Sequence, residues 1–303
     1  MSTFTLKNGV LIPDLCFGTD ITYIHSKGIN RKLQEAKCCL KIILKKNETV
    51  AKKNYYLPRV IDASMKNGCT LFDTSRAYGA SEYTLGQVLR KYPRENYFIT
   101  TKLCNVDQFN NDVRGGFEKS LYELGLEYVD LYLMHWPVTD HFIDNWKEME
   151  MLYREGKCRA IGVCNFNIHH FEELKKSAEI MPMVNEIECH PLFTQNEIRE
   201  YCKDNGIQVI AYTSTARMDQ RLNKTCLVSI AKRYGKTVTQ VILRWHQQIG
   251  NIPIVNSTKV EHMLSNTQVK DFVLSDEEIE QITKININSR LRYDPDNCDF
   301  RQL

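Results

Sequence analysis

Residues 69–102 read CTLFDTSRAYGASEYTLGQVLRKYPRENYFITTK. An apolar run at 69–73 ends in Asp73. Leu85, Val88, Leu89 and Tyr92 then recur at helical spacing, and a second apolar run at 97–102 ends in Lys102. Strand, helix, strand is one β-α-β unit, the kind of connection that parallel strands require. Ser81, just ahead of the apolar positions, is expected to cap the helix. Between Asp73 and that helix the bend carries Arg76, Tyr78 and Gly79.

The alternation continues along the chain. Further strands are expected at 129–135, 160–164, 183–188, 207–212 and 252–255, with amphipathic helices at 111–124 and 237–248. A capping box, Ser275 to Glu278, opens the last helix. DLCFGT at 14–19 supplies an eighth strand, and TFTLKNGVLI at 3–12 reads as a hairpin turning at Asn8 and Gly9. Eight strands alternating with helices in 303 residues point to an α/β fold, a (β/α)8 TIM barrel with an N-terminal β-hairpin. No repeat, low-complexity tract or linker interrupts it, so residues 1–303 are read as one barrel domain.

The stretch at 22–55 departs from this pattern. A helix, LPRVIDASMKNG, is expected from Leu57, which leaves a long loop after the first barrel strand. The loop carries eight basic residues between Arg31 and Lys53 against Glu35 and Glu48, with Leu33, Ala36, Leu40 and Ile43 at near-helical spacing. An amphipathic helix at the C-terminal face of the barrel is the expectation. A solvated surface helix is its simplest role, with a lid, an anion-attracting rim or a partner surface as alternatives.

Composition narrows the function classes. A net charge of +3 is too small for a nucleic-acid binder, which concentrates a strong basic excess on one face. The 11 cysteines lack a C-x-x-C pair and sit in apolar runs, which suits buried thiols in a reducing, cytoplasmic compartment. No secretion signal and no run of 18 apolar residues is present, so no membrane association is expected.

Barrel chemistry is built at the C-terminal ends of strands. Those ends hold Asp73, with Tyr78 in the following loop, then Lys102, His135 with Trp136, Cys164 with Asn165, Asn185 with Glu186, and Tyr212. Each residue alone also has a structural reading, a snorkelling lysine or a hydrogen-bonded core histidine. Together they form a proton-delivery set. Tyrosine ionises near pH 10, so its use near neutrality needs a neighbour that eases the phenolate; Lys102 fits, held by Asp73. His135 can orient a carbonyl oxygen. No nucleophile with a nearby base is implied, and His135 and His190 lack metal-ligand spacing. Proton delivery without nucleophile or metal pairs naturally with hydride transfer from a cofactor.

At these residues the sequence resembles the aldo-keto reductase family. The motifs are FDTSRAYG, ITTKL, DLYLMHWP, IGVCNF, VNEIECHP and PIVNSTKVEHMLSN, and they cover nearly all the chain outside 22–55. The resemblance implies NADPH bound across the barrel top, with NADH as the alternative, and a catalytic tetrad of Asp73, Tyr78, Lys102 and His135. Cofactor contacts are implied at Thr19, Asp20, Cys164, Asn165, Glu186, Tyr212, Thr213, Asn256, Ser257, Thr258, His262 and Asn266. The family's usual glutamine is Glu186 here, which accepts from an amide but does not donate when ionised. A family lysine falls on Asn256 and a family arginine on His262, which weakens the case for a 2'-phosphate. The segment TSTARM departs from the family's usual turn. Cys104 and Trp136 are implied at the substrate pocket, and the tail from about residue 286 is expected to fold over it. The activity implied is reduction of an aldehyde or ketone to an alcohol, on a polar, hydroxylated or anionic carbonyl compound, by a monomer or weak homo-oligomer. A nicotinamide-binding regulatory subunit on the same fold is the alternative.

Overall fold

The computed structural model describes residues 2–20 and 48–302, with the side chains of 48–56 and Gln302 left aside. The amphipathic helix expected within 22–55 therefore falls largely outside the described residues.

Eight parallel strands close into a barrel. They are β3 (Cys16–Gly18), β4 (Leu71–Asp73), β5 (Phe98–Leu103), β6 (Val129–Met134), β7 (Cys158–Cys164), β8 (Val184–Glu188), β9 (Gln208–Tyr212) and β10 (Ile252–Val255), with β10 pairing back to β3. β1 (Thr3–Thr5) and β2 (Leu11–Pro13) form the antiparallel hairpin, and Gly9 at its turn has φ 86°. All eight expected barrel strands are present, with ends that match or shift by at most two residues. The eight-stranded barrel with an N-terminal hairpin is thus the fold.

Helices at Val113–Leu124 and Val238–Gln248 pack apolar faces against the strands, burying Phe117 and Leu124 on the first and Val241, Ile242 and Trp245 on the second. The capping box is formed: Ser275 Oγ accepts from the Glu278 N–H at 3.3 Å, and Glu278 Oε2 accepts from the Ser275 N–H at 3.0 Å. Two local readings are corrected. The helix expected from Leu57 runs Glu48–Lys66, with Pro58 inside it. A ring that removes one N–H weakens a helix without ending it when the flanking turns are otherwise held. Ser81 is not the cap of the next helix; it is the first residue of Ser81–Leu89, and its hydroxyl instead bonds Thr74 Oγ1 at 2.6 Å, which ties the bend to the strand end.

Register carries the strand ends to one height. Asp73 stands opposite Gly18 and Thr100, Lys102 opposite Leu133, and Cys164 opposite Glu186. A Cβ at Gly18 would press on the Asn256 amide and on Ile254 Cγ2, so glycine lets β10 and the segment after it approach β3 closely. All nine described cysteines are free thiols. Among the described residues no helix is long and apolar enough to cross a membrane.

Candidate active site

β5 ends by pointing a lysine into the barrel mouth. Lys102 is buried, and its ammonium pairs with Asp73 Oδ1, donates to the Thr74 carbonyl at 3.3 Å and lies 3.4 Å from Glu186 Oε1. Burial alone would lower its pKa; Asp73 and Glu186 reverse the direction and hold it well above the ordinary lysine value. It is a fixed cation. Asp73 in turn is held from β3, because the backbone N–H and the hydroxyl of Thr19 both donate to the Asp73 carbonyl at 2.9 Å.

Tyr78 arrives from the bend after β4. Its ring centroid lies 5.2 Å from Lys102 Nζ, and the His135 ring stands edge-on to it at 5.7 Å. The expected tetrad is therefore brought together in space. Its electrostatics differ from the simple expectation. Burial raises the Tyr78 phenol well above 10, and Lys102 opposes that rise without cancelling it, partly because Asp73 and Glu186 add to it. The hydroxyl is thereby kept as a proton donor. Burial, with Lys102 and Arg292 nearby, pushes His135 down to about 3, so its ring is neutral and offers one N–H.

Asn165 follows β7 with φ 63°, a conformation that asparagine tolerates. Its Nδ2 donates to the His135 carbonyl at 3.1 Å, and its Oδ1 accepts from the Tyr212 hydroxyl at 2.7 Å. Cys164 is buried and its thiol pushed up, chiefly by burial. Glu186 is buried, with Oε2 unpartnered, and its carboxyl is raised to about 8 by burial and then by Asp73. A carboxyl raised in this way keeps its proton at neutral pH and has an O–H to donate, which an ionised carboxylate lacks. A buried Oε2 without a partner next to the fixed Asn165 amide is what a carboxamide of a nicotinamide could satisfy, so this end of the site fits the group.

The other cofactor candidates form a second set after β9 and β10. Thr213 has φ 51°. Asn256 is exposed, and its Nδ2 donates to the Asp20 carbonyl at 3.3 Å. The Ser257 hydroxyl is engaged with Lys259 on both sides at 3.0 Å. Thr258 is half-buried, His262 exposed and Asn266 buried. No arginine lies among these positions.

Cys104 is buried 4.0 Å from the Ser75 hydroxyl, its thiol raised to about 11 chiefly by burial. Trp136 packs 6.2 Å from the ring of Phe300, so the tail does reach the pocket side of the barrel. Its fastening was missed in the sequence. Glu188 Oε1 and Oε2 accept the backbone N–H groups of Leu291 at 2.7 Å and Arg292 at 3.0 Å, and His190 Nε2 lies 3.0 Å from the same carboxylate. Asn105 Nδ2 also donates to the Phe300 carbonyl at 3.0 Å. Period two along β8 puts Glu186 and Glu188 on one face, and that was the available signal. Farther out, Asn167 Nδ2 donates to Asp296 Oδ2 at 2.7 Å, beside His169 and His170. These three could ring a metal by proximity. His170 Nδ1, however, accepts the Asn167 N–H at 3.0 Å, which leaves the ring proton on Nε2 and makes that nitrogen a donor.

The Aldo/keto reductase family model matches residues 45–287. Glyoxal reductase of Bacillus subtilis (strain 168) is 44% identical over 241 residues, 79% of this chain and 87% of that protein. An aldo-keto reductase from a Medee basin deep-sea metagenome superposes with a TM-score of 0.82 at 31% identity, covering 98% of this chain and 100% of the other. The aldo-keto reductase of Bombyx mori in complex with NADP gives 0.80 at 27% identity, covering 97% and 95%.

Proposed function

The chain belongs to the aldo/keto reductase family, and from that premise we propose that it reduces an aldehyde or ketone to an alcohol with Tyr78 as proton donor. The observation that carries this reading is the Lys102 ammonium, fixed by Asp73 and 5.2 Å from the Tyr78 ring centroid, with a neutral His135 on the other flank.

A nicotinamide cofactor, when bound, supplies the hydride; NADPH is the first choice, in keeping with the NADP complex of the Bombyx mori relative. Asn165, Glu186 and Tyr212 would hold its carboxamide end. Neutral His135 orients the carbonyl oxygen through its N–H. Tyr78 releases its phenolic proton to that oxygen as negative charge develops there, and Lys102 offsets the charge left on Tyr78. Trp136 and Phe300 limit water at the pocket wall. The glyoxal reductase relative favours a small oxygenated carbonyl compound such as a dicarbonyl.

Tyr78→Phe tests the reading. It should lower kcat for glyoxal reduction by about 10²–10⁴-fold while the cofactor Kd moves little. Retained turnover would sink the proposal, and an unaltered biological role for Tyr78→Phe would favour a nicotinamide-binding regulatory subunit on this fold.

A further inference from the structure

Lys102 has two acidic neighbours, and only one of them binds it tightly. Asp73 makes the direct ion pair; Glu186 approaches from β8 at 3.4 Å. Both side chains are at most 6% exposed. Burial raises both carboxyls above their ordinary values, and Lys102 opposes the rise in each. Two carboxylates beside one ammonium would leave a buried net negative charge, and like charges at this range do not both ionise. Asp73 keeps its charge because Lys102 bonds it directly, so the proton resides on Glu186. Among the described residues, Glu186 Oε2 has no hydrogen-bond partner to stabilise an anion there.

Among the described residues, the remaining groups that face Glu186 supply no competing charge, and Asp20 adds negative charge toward Asp73 and Tyr78. Cys16 on β3 and Cys164 on β7 are thiols pushed up by burial, Tyr78 is a phenol, and Ile210, its neighbour on β9, is apolar. The acid of Glu186 has itself been raised to about 8, so its proton is lost in mild alkali.

We propose that Glu186 carries the proton that keeps the Asp73–Lys102–Glu186 cluster neutral, and that losing it makes Tyr78 a poorer holder of negative charge, which biases the site against alcohol oxidation in alkaline solution. The proposal rests on Tyr78 being the acid-base group. In the oxidation direction the Tyr78 phenolate takes the hydroxyl proton, and the carbon's hydrogen leaves with its electron pair to the oxidised cofactor. An added negative charge on the cluster lowers the phenolate population that this step needs. Glu186 acts here through Lys102 as a positioning residue.

The experiment compares the full chain with Glu186→Gln, a neutral isostere. kcat/KM is measured from about pH 6 to about pH 10 for oxidation of 4-nitrobenzyl alcohol with NADP and for reduction of 4-nitrobenzaldehyde with NADPH. Each profile is measured at saturating cofactor at every pH and normalised to its own value at about pH 6.5, so differences in cofactor affinity do not enter. Wild-type oxidation should bend over above about pH 8 while the variant continues to rise, opening a gap of roughly tenfold at about pH 9.5, the effect of about one unit on Tyr78. Superimposable profiles would overturn the coupling to Tyr78. Independently, the infrared difference spectrum of the cofactor-free protein between about pH 6 and about pH 10 should show loss of a carboxylic-acid carbonyl band that Glu186→Gln lacks. A missing band in the wild type would overturn the proton assignment. That result stands apart from the Tyr78→Phe test, whose failure would remove the proposed function and leave the band unaffected.

Discussion

Tyr212 donates its hydroxyl hydrogen to Asn165 Oδ1 at 2.7 Å, joining the end of β9 to the end of β7 across β8. Because Asn165 also donates to the His135 carbonyl, one amide fixes three strand ends. Asn165→Ala removes both bonds and puts a residue ill suited to φ 63° at that position. It should lower stability by about 2 kcal/mol in urea titration and weaken cofactor binding measurably by fluorescence. Tyr212→Phe, which breaks only one bond, should fall short of that stability loss, at about 1 kcal/mol. Equal losses in the two variants would contradict this division.

Lys102→Met leaves Asp73 and Glu186 buried without their cation. Destabilisation of about 3–5 kcal/mol is expected, since breaking one side of a buried pair strands the other. Lys102→Met with Asp73→Asn should recover a substantial part of that stability but none of the activity. A double mutant as unstable as Lys102→Met alone would show that the lysine acts on stability through packing.

Glu186 gives a sign for stability against pH. Its ordinary value is 4.5, taken as that of the unfolded chain, and in the fold it is raised to about 8. Between those values the folded chain keeps a proton that the unfolded chain has released, so rising pH favours unfolding. Whatever stability the group lends is complete below its unfolded value and declines until the folded one. Glu186→Gln removes this slope. The Tm of the variant minus that of the wild type should therefore grow from about pH 5 to about pH 8 and then level off, and a difference independent of pH would contradict the protonated carboxyl.

At the far end of the proposed cofactor site, Asn256 and His262 stand where the family resemblance expects cations. Asn256→Lys with His262→Arg should raise the ratio of NADPH to NADH affinity by on the order of tenfold, with a gain that fades at high salt. Fluorescence titration with each cofactor measures it. An unchanged ratio would place recognition of the 2'-phosphate on other residues.

The barrel was legible because its signal is redundant: eight apolar runs of strand length, each followed by helical spacing, admit few closures. The clustering of Asp73, Tyr78, Lys102 and His135 was legible for a related reason, since strand ends share one rim and Asp73, Lys102 and His135 could be read off in order. Contacts set by the three-dimensional path were hidden. Arg76 had no assigned role in the sequence; in the fold it pairs with Asp107, 31 residues on, in the short helix Asn105–Phe109 that follows β5. Ser81 looked like a cap because serine ahead of an apolar period usually is one, and the Thr74 hydroxyl claimed it instead. The charge state of Glu186 was hidden too, because it depends on how closely β4 and β8 bring two carboxyls to one lysine, a distance no spacing along the chain encodes.

The tail is fastened at Glu188 through the main-chain N–H groups of Leu291 and Arg292. Every amino acid except proline offers the same donor at those positions. The anchor is thus indifferent to the side chains at 291 and 292, whereas Asp296, bonded by Asn167, and Phe300, packed on Trp136, hold the tail through their own side chains. In an engineering setting, Glu188, Asp296 and Phe300 are the residues to leave alone while the other positions between 293 and 301 are randomised.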